Sequence, residues 1–205
     1  MRRKIAGRAH VVSAFLQLDD PYSYLLAQYL PDLAAHYDIE LHVYLSQALG
    51  DGFQPAPDML AEYGALDAQR VARELGVPFL DKGVAPPVEH RRALLDYLAA
   101  CAGNDDFLTE FSQALEAYWR GDNEAAARRA DTGGAGQADR VIAESQVLQR
   151  RLGHYNSAML HYGGEWYWGV DRLQYLTARL DDLGLASSGQ GNTRLASIRQ
   201  AMHVS

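Results

Sequence analysis

The alternation of apolar and polar residues predicts a strand, a helix and a second strand near the start of the chain. An apolar, β-branched run over 10–18 is typical of a core strand. Apolar residues recur with helical spacing over 22–37, and Pro31 falls inside this helix, so we expect a kink there. A two-residue alternation over 39–45 predicts the second strand. This order implies parallel pairing through a right-handed crossover.

Helical periodicity dominates the middle of the chain. The predicted helices cover 58–75, 89–102, 106–120, 124–130 and 137–151. Strand patterns return over 157–162 and 165–168, and the turn between them is Gly163-Gly164, which permits positive φ. A final helix is predicted over 169–183.

This order describes an α/β unit that is interrupted by an all-helical insertion. We place the first part of the α/β unit in 1–80, the insertion in 81–152, and the second part of the α/β unit in 153–184. The remaining residues, 185–205, are rich in Ser, Gly and Asn and are expected to form a flexible tail. A chain of 205 residues is long enough to bury a substantial core.

Composition and charge exclude several classes of function. The formal net charge is −7, whereas a nucleic-acid-binding protein usually shows a basic surface. No segment approaches the ~18 consecutive apolar residues of a membrane span, and the basic residues 2–4 lack a following cleavage site, so we expect a cytoplasmic protein. The single cysteine, Cys101, excludes an intrachain disulfide and a CxxC redox pair. Its setting in a predicted helix favours a small buried residue.

The candidate chemistry lies in the turn Asp19-Asp20-Pro21, between the first strand and the first helix. Such a turn lies at the helix N-terminus, where unpaired N–H groups and the macrodipole favour an anion. Two interpretations of Asp20 stay open: it is the helix N-cap, or it is a general acid or base. The helix donors would lower the pKa of Asp20, which favours the cap. Asp19 is expected to be solvated.

Three segments resemble a known group of proteins. Residues 20–25, Asp-Pro-Tyr-Ser-Tyr-Leu, are similar to the Ser-Pro-Tyr-Ser-Tyr-Leu start of 2-hydroxychromene-2-carboxylate isomerases and kappa-class glutathione transferases. Residues 67–79 resemble the second helix of these proteins and its exit. Residues 164–173 resemble the Gly-Glu-x-x-Trp-Gly-x-Asp-Arg-Leu segment of the wider DsbA-like group. The resemblance implies an α/β thioredoxin-like fold, β-α-β … β-β-α, with a helical insertion.

The resemblance also implies a thiol site. In the glutathione-using relatives a Ser stabilises the glutathione thiolate, and the matching position is Asp20. The relatives' cis-proline position matches Ala158 in this chain. A cis bond before a non-Pro residue costs ~3 kcal/mol or more, so we expect a trans bond there. Two neighbours in the same loop, Tyr155 and Ser157, are implied as ligand-binding residues.

Glutathione is the implied cofactor, although the residues present would treat its thiol differently. Asp171 and Arg172 match a helical turn that helps to hold the γ-glutamyl end of glutathione in the relatives. An ionised Asp20 cannot donate to a thiolate, and its charge would raise the pKa of a bound thiol, so the sulfur is expected to stay protonated. Ser23 is a second candidate catalytic residue, because its hydroxyl can point back at the turn.

Many aromatic rings are expected around a cleft at the Asp20 turn: Tyr22, Tyr24, Tyr155, Tyr162, Trp166 and Trp168. They either pack in the core or form a stacking wall for a planar ligand, of which Tyr22, Tyr24 and Tyr155 are the candidate contacts. His154 and His161 lie near the same loop. A metal site would need a third ligand at a suitable spacing, so no metal is expected.

Two classes of function stay open. The first is a glutathione-dependent isomerase or transferase that acts on a small aromatic substrate. The second is a non-catalytic ligand-binding or partner-binding protein on the same scaffold, which the altered Ser and cis-proline positions favour. Thiol–disulfide exchange needs a low-pKa cysteine at a helix start, and Cys101 is not placed there. Nucleic-acid and membrane partners are not expected, whereas the resemblance is compatible with a homodimer.

Overall fold

A four-stranded mixed sheet forms the centre of the protein, in the strand order β2-β1-β3-β4. The structure is a computed structural model and describes residues 9–47, 56–79, 88–130, 136–187, 194–196 and 198. Its strands are β1 (Val11–Gln17), β2 (Glu40–Ser46), β3 (Met159–Tyr162) and β4 (Glu165–Trp168). Strand β1 pairs in parallel with β2 and antiparallel with β3, so the predicted parallel β-α-β unit is confirmed.

The helices follow the predicted order. They are α1 (Pro21–Ala27), α2 (Leu30–His36), α3 (Pro57–Leu75), α4 (Val88–Cys101), α5 (Phe107–Arg120), α6 (Asn123–Ala130), α7 (Ala138–Arg151), a 3-10 turn (Val170–Arg172) and α8 (Leu173–Asp182). From α3 to α7 the predicted bounds are confirmed to within one residue at each end. Across the described part of the chain, no helix combines the length and apolarity that crossing a bilayer requires.

The prediction of one kinked helix over 22–37 was wrong. The chain forms two helices, α1 and α2, separated at Gln28 and Tyr29. Pro31 lies in the first turn of α2, where its missing N–H group needs no partner. The break is held by tertiary contacts, because the Gln28 side-chain amide donates to the Pro78 carbonyl at 2.9 Å and Tyr29 is fully buried.

The β3–β4 hairpin has the predicted turn but a shorter first strand. Gly163 and Gly164 have φ values of 59° and 88°, so both use the conformation that glycine permits. Strand β3 begins at Met159 rather than at 157, because Ala158 has a φ of 53° and leaves the extended conformation. After the hairpin the chain enters the 3-10 turn before it becomes the α8 helix.

One buried apolar cluster joins the sheet to the helical insertion. It includes Val12 and Leu16 from β1, Leu30 from α2, and Leu98 and Leu115 from the insertion. The insertion therefore packs on the α/β unit and shares its core. This common core fixes the position of the insertion helices relative to the turn after β1.

The segment predicted as a flexible tail makes ordered contacts where the structure describes it. The Leu185 carbonyl accepts a hydrogen bond from the Asp38 N–H group at 2.9 Å. Leu195 and Ile198 are buried in the common core. Removal of their apolar side chains from water stabilises this position. Apart from 194–196 and 198, residues 188–205 lie outside the described residues.

Candidate functional site

The turn after β1 holds the Asp20 carboxylate against the first turn of α1. Asp20 is the N-cap residue, and Pro21 follows as the first residue of the helix. The carboxylate accepts hydrogen bonds from the Tyr22 N–H group at 3.2 Å and the Ser23 N–H group at 3.1 Å. Asp20 therefore caps α1, which is the interpretation that the sequence favoured.

Ser23 is fully buried, and its hydroxyl points back at the turn. The hydroxyl donates to Oδ2 of Asp20 at 2.6 Å and accepts from the Gln17 N–H group at 3.0 Å. Both contacts hold it in one orientation. Ser23 thus joins the end of β1 to the Asp20 carboxylate and acts on the site by positioning that group.

The loop before β3 closes on the same carboxylate. The side chain of Ser157 lies close enough to Asp20 to lower the pKa of its carboxyl, so two segments that are distant in sequence meet at this group. Ala158 is almost fully buried, and its carbonyl accepts from the Gly169 N–H group at 2.8 Å. No cis peptide bond occurs among the described residues, so the predicted trans bond at Ala158 is confirmed.

The environment of Asp20 raises the pKa of its carboxyl above the ordinary value of 3.8. The largest cause is burial, which disfavours the charged form. Hydrogen bonds from Ser23, Ser157 and the helix N–H groups oppose the shift but do not reverse it. The prediction of a lowered pKa was therefore wrong, because it counted the local donors and omitted the desolvation by the rest of the protein.

Asp19 is not simply solvated, contrary to the prediction. Its carboxylate lies 2.9 Å from Nε of Arg91 and also accepts from the Gln17 side-chain amide at 2.9 Å. Arg91 belongs to α4, so this ion pair connects the turn to the helical insertion. The pair also places a guanidinium group beside the turn.

Two of the predicted aromatic contacts are used in packing. The Tyr22 hydroxyl donates to Asp67 of α3 at 2.7 Å, and burial together with this carboxylate raises the pKa of Tyr22. Tyr24 is only 4% exposed and stacks on Trp119 of α5 at 6.2 Å between ring centroids. Burial raises the pKa of Tyr24 to about 12. Its ring joins α1 to the insertion.

Tyr155 differs from these two residues because its side chain is 56% exposed. Its ring stacks on His154 at 5.3 Å, and His154 in turn packs on Trp166. Burial lowers the pKa of both His154 and His161. In the part of the chain that the structure describes, no group of three metal-ligating side chains converges.

Asp171 and Arg172 lie in the 3-10 turn, which packs against α1. Both side chains are more than half exposed, and their charged groups are 3.8 Å apart. The Arg172 guanidinium also lies over the Tyr175 ring at 5.5 Å. The pair is thus presented to solvent on an element that neighbours the Asp20 turn.

Sequence reasoning missed three residues around this turn. Arg91 pairs with Asp19, and Trp119 and Phe79 pack on Tyr24. Arg91 carries no distinguishing sequence signal, because it is one of several charged residues on a helix. Trp119 and Phe79 lie within or beside segments with apolar periodicity. That periodicity indicated that they are buried but not that they pack on Tyr24.

A comparison with solved structures identifies the fold. A 2-hydroxychromene-2-carboxylate isomerase superposes with a TM-score of 0.61 over 85% of this chain and 96% of its own, at 17% sequence identity. The cytosolic disulfide reductase DsbM from Pseudomonas aeruginosa superposes with a TM-score of 0.52 over 95% of this chain and 100% of its own, at 16% identity. The chain has a DsbA-like thioredoxin fold. The predicted fold class is therefore confirmed.

No family model matches the sequence, and no curated protein gives a significant match. At the identities found, structural likeness shows the DsbA-like fold alone. The function must therefore be argued from the residues at the turn.

Proposed function

We propose that the protein is a glutathione-dependent enzyme of the isomerase or transferase type that acts on a small aromatic substrate. The observation that carries this proposal is the Asp20 carboxyl at the end of β1. It is partly buried, burial raises its pKa, and two separate segments of the chain lie beside it. A carboxyl with a raised pKa is a stronger base than an ordinary aspartate and a better match for a proton donor in a cleft.

The donors around Asp20 indicate which of its contacts a ligand can replace. A carboxylate offers about four acceptor positions, and the partners are the Tyr22 N–H group, the N–H group and hydroxyl of Ser23, and the Ser157 side chain. The first three belong to α1 and move with the helix. Ser157 comes from the loop before β3 and is the partner that a thiol S–H group can displace.

This arrangement fits a protonated thiol and does not fit a thiolate, because the carboxylate accepts hydrogen bonds and repels a second negative charge. When bound, glutathione supplies the nucleophilic sulfur. The Asp20 carboxylate accepts the proton of the glutathione thiol and returns it later in the catalytic cycle. Ser23 and the helix N–H groups hold the carboxylate in position. Asp171 and Arg172 supply the opposite charges that the γ-glutamyl end requires, and the exposed ring of Tyr155 offers a face to an aromatic substrate.

A thermal-shift titration tests the binding step. Reduced glutathione should raise the unfolding midpoint of the wild-type protein saturably, because it binds the native state. The Arg172→Ala variant should lose the shift without losing basal stability, since its side chain is half exposed. The absence of any shift at millimolar reduced glutathione would refute the proposal.

Turnover of 2-hydroxychromene-2-carboxylate tests the chemical step. The substitution Asp20→Asn keeps an N-cap oxygen but removes the proton acceptor. It should preserve the glutathione-induced shift and abolish turnover. The substitution Asp20→Ser should strengthen glutathione binding and increase thiolate absorbance, because a hydroxyl can donate to the sulfur.

One observation favours the second candidate, a non-catalytic binding protein on the same fold. The Tyr22 N–H group and the N–H group and hydroxyl of Ser23 already occupy three of the about four acceptor positions of the Asp20 carboxylate. In that case glutathione or another ligand would bind without turnover, and the wild-type and Asp20→Asn proteins would behave alike. The two assays above therefore separate the candidates.

Dithiol exchange is not part of the proposal. Cys101 lies at the end of α4, and burial raises the pKa of its thiol, whereas exchange requires a low pKa. We propose a cytoplasmic location, with support from the cytosolic disulfide reductase of the same fold. A homodimer is proposed from the family resemblance, and sedimentation of the full chain tests it.

A further inference from the structure

Helix α3 carries an apolar stripe on its solvent side. The stripe consists of four large apolar residues that are between 45% and 73% exposed: Met59, Leu60, Tyr63 and Leu66. Met59, Tyr63 and Leu66 follow the i, i+4, i+7 spacing and share one face of the helix, and Leu60 lies beside them. The opposite face, which includes Ala68 and Ala72, is buried in the common core. The stripe therefore points away from the protein, and the packing of α3 on its own chain does not explain it.

Charged side chains accompany the stripe without being paired. Glu62 lies in the N-terminal half of α3, Arg70 and Arg73 lie in the C-terminal half, and all three are exposed. Within the described part of the chain, none of these three forms an ion pair or a side-chain hydrogen bond. The helices of the insertion differ, because they pair their exposed charges internally, as Glu116 does with Arg120 in α5. The charges of α3 are thus available to a partner molecule.

A second copy of α3 that runs antiparallel to the first complements these charges. A twofold axis at Leu66 brings the two Leu66 side chains together. Glu62 of each copy is then level with Arg70 of the other, because both residues lie equally far from residue 66 along the helix. Antiparallel helices also place opposite ends of their macrodipoles side by side, which is favourable. Asp67 lies on the flank away from Glu62 and accepts from the Tyr22 hydroxyl, so it does not compete for Arg70.

The remaining exposed charges of α3 are compatible with this arrangement. Arg73 lies on the flank that carries Glu62 and is within one turn of Arg70, so it faces the same carboxylate of the other copy. Asp58 and Glu74 are level with each other across the axis. They lie on opposite flanks of the stripe, however, so their like charges stay apart.

The area suits a reversible dimer. The stripe presents roughly 400 Å² of apolar surface on each copy, which is within the range of the largest patch on a typical monomer. Two copies, together with the aliphatic stems of Arg70 and Arg73, bury roughly 1,000–1,200 Å² in total, which is the lower end for specific interfaces.

We propose that α3 is the interface through which two copies of this chain associate. The apolar stripes pair antiparallel about a twofold axis near Leu66, and Glu62 of each copy pairs with Arg70 of the other. This inference rests on the homodimer proposed above and adds the surface that forms it. It does not depend on glutathione binding, because none of the pairing residues belongs to the Asp20 turn.

Sedimentation velocity of the full chain at about 1–300 μM tests the interface. The wild-type protein should pass from monomer to dimer as its concentration rises. Leu66→Glu places two carboxylates at the axis and should raise the dissociation constant at least about tenfold. Val147→Glu on α7 is the matched control, because Val147 is also a strongly exposed apolar residue. Its dissociation constant should stay within about threefold of wild type. Circular dichroism checks that both variants fold.

A pair of charge reversals tests which residues meet. Glu62→Arg and Arg70→Glu each bring like charges together across the axis, so each variant alone should dimerise at least about tenfold more weakly. An equimolar mixture of the two variants should restore the dimer, because each contact in the mixed dimer joins one arginine to one glutamate. Charge effects within a single copy cannot produce this rescue.

The outcomes separate this inference from the other proposals. A wild-type chain that stays monomeric at the highest concentration would overturn both the interface and the homodimer. A dimer that Leu66→Glu leaves unchanged would refute the interface on α3 alone. A mixture of charge variants that associates as weakly as its components would refute the antiparallel pairing. The thermal shift induced by glutathione should be the same in Leu66→Glu and wild type, so its absence bears only on the proposed enzyme activity.

Discussion

Replacing Asp20 with alanine removes the acceptor of several hydrogen bonds at the start of α1. The Tyr22 and Ser23 N–H groups lose their cap, and the buried Ser23 hydroxyl loses the partner that it now reaches at 2.6 Å. The side chain itself is small and lies on the rim of the core. Loss of stability would therefore come from the polar contacts and not from a cavity.

The magnitude follows from these contacts. Loss of an N-cap costs about 1 kcal/mol, and a buried hydroxyl without its acceptor costs roughly 1–3 kcal/mol. Removal of a desolvated carboxyl offsets part of this, since burial already raises the pKa of Asp20. We expect Asp20→Ala to lower the free energy of unfolding by about 2–3 kcal/mol. For a chain of this size the midpoint then falls by roughly 4–12 °C.

Urea denaturation at neutral pH, followed by tryptophan fluorescence, measures this loss. The control is a double-mutant cycle with Ser23→Ala, because the two side chains share a hydrogen bond. Their combined loss should be smaller than the sum of the single losses by about 1–2 kcal/mol. A loss below about 0.5 kcal/mol for Asp20→Ala would show that the carboxylate does not cap α1. Simple additivity of the two single losses would show that it does not hold Ser23.

Three further predictions concern the same region. The raised pKa of Asp20 means that the folded state binds the proton more tightly than the unfolded state. The stabilisation from this group is therefore fully present below the unfolded pKa of 3.8, and it is lost as the pH rises through the folded-state pKa. The midpoint of Asp20→Asn relative to wild type should therefore be higher at pH ~7 than at pH ~4, and a difference independent of pH would contradict the shift. Tyr22→Phe loses the hydrogen bond to α3 and should cost about 1 kcal/mol in denaturation, whereas Tyr63→Phe on the exposed side of α3 should be neutral. Ala158→Gly relieves the backbone strain of a left-handed alanine, whereas Ala14 in β1 has an ordinary φ. The loss of stability should therefore be about 1–2 kcal/mol smaller for Ala158→Gly than for Ala14→Gly. Equal losses would show that Ala158 carries no strain.

Local sequence patterns predicted most of the fold. The two-residue and helical periodicities indicated the strands and the insertion helices, because burial of one face selects those spacings. The Gly163-Gly164 turn was predictable because few other pairs adopt positive φ at both positions. The N-cap at Asp20 was equally local, since its donors lie within three residues.

Other features required contacts between distant segments. The break between α1 and α2 depends on Gln28 reaching Pro78, which no pattern near residue 28 reveals. The direction of the Asp20 pKa shift depends on burial by the surrounding protein, which outweighs the lowering by Ser23, Ser157 and the helix N–H groups. The charge beside the turn depends on Arg91 of the insertion.

By itself, the sequence determined the element types, their order and the cap at the turn, because these depend on interactions between near neighbours in the chain. The tertiary structure decided the surroundings of the side chains and the strands: how far the Asp20 carboxyl is removed from water, which aromatic rings are buried, and which strands pair with β1. Desolvation and strand pairing depend on the whole set of surrounding atoms, so they are properties of the folded chain.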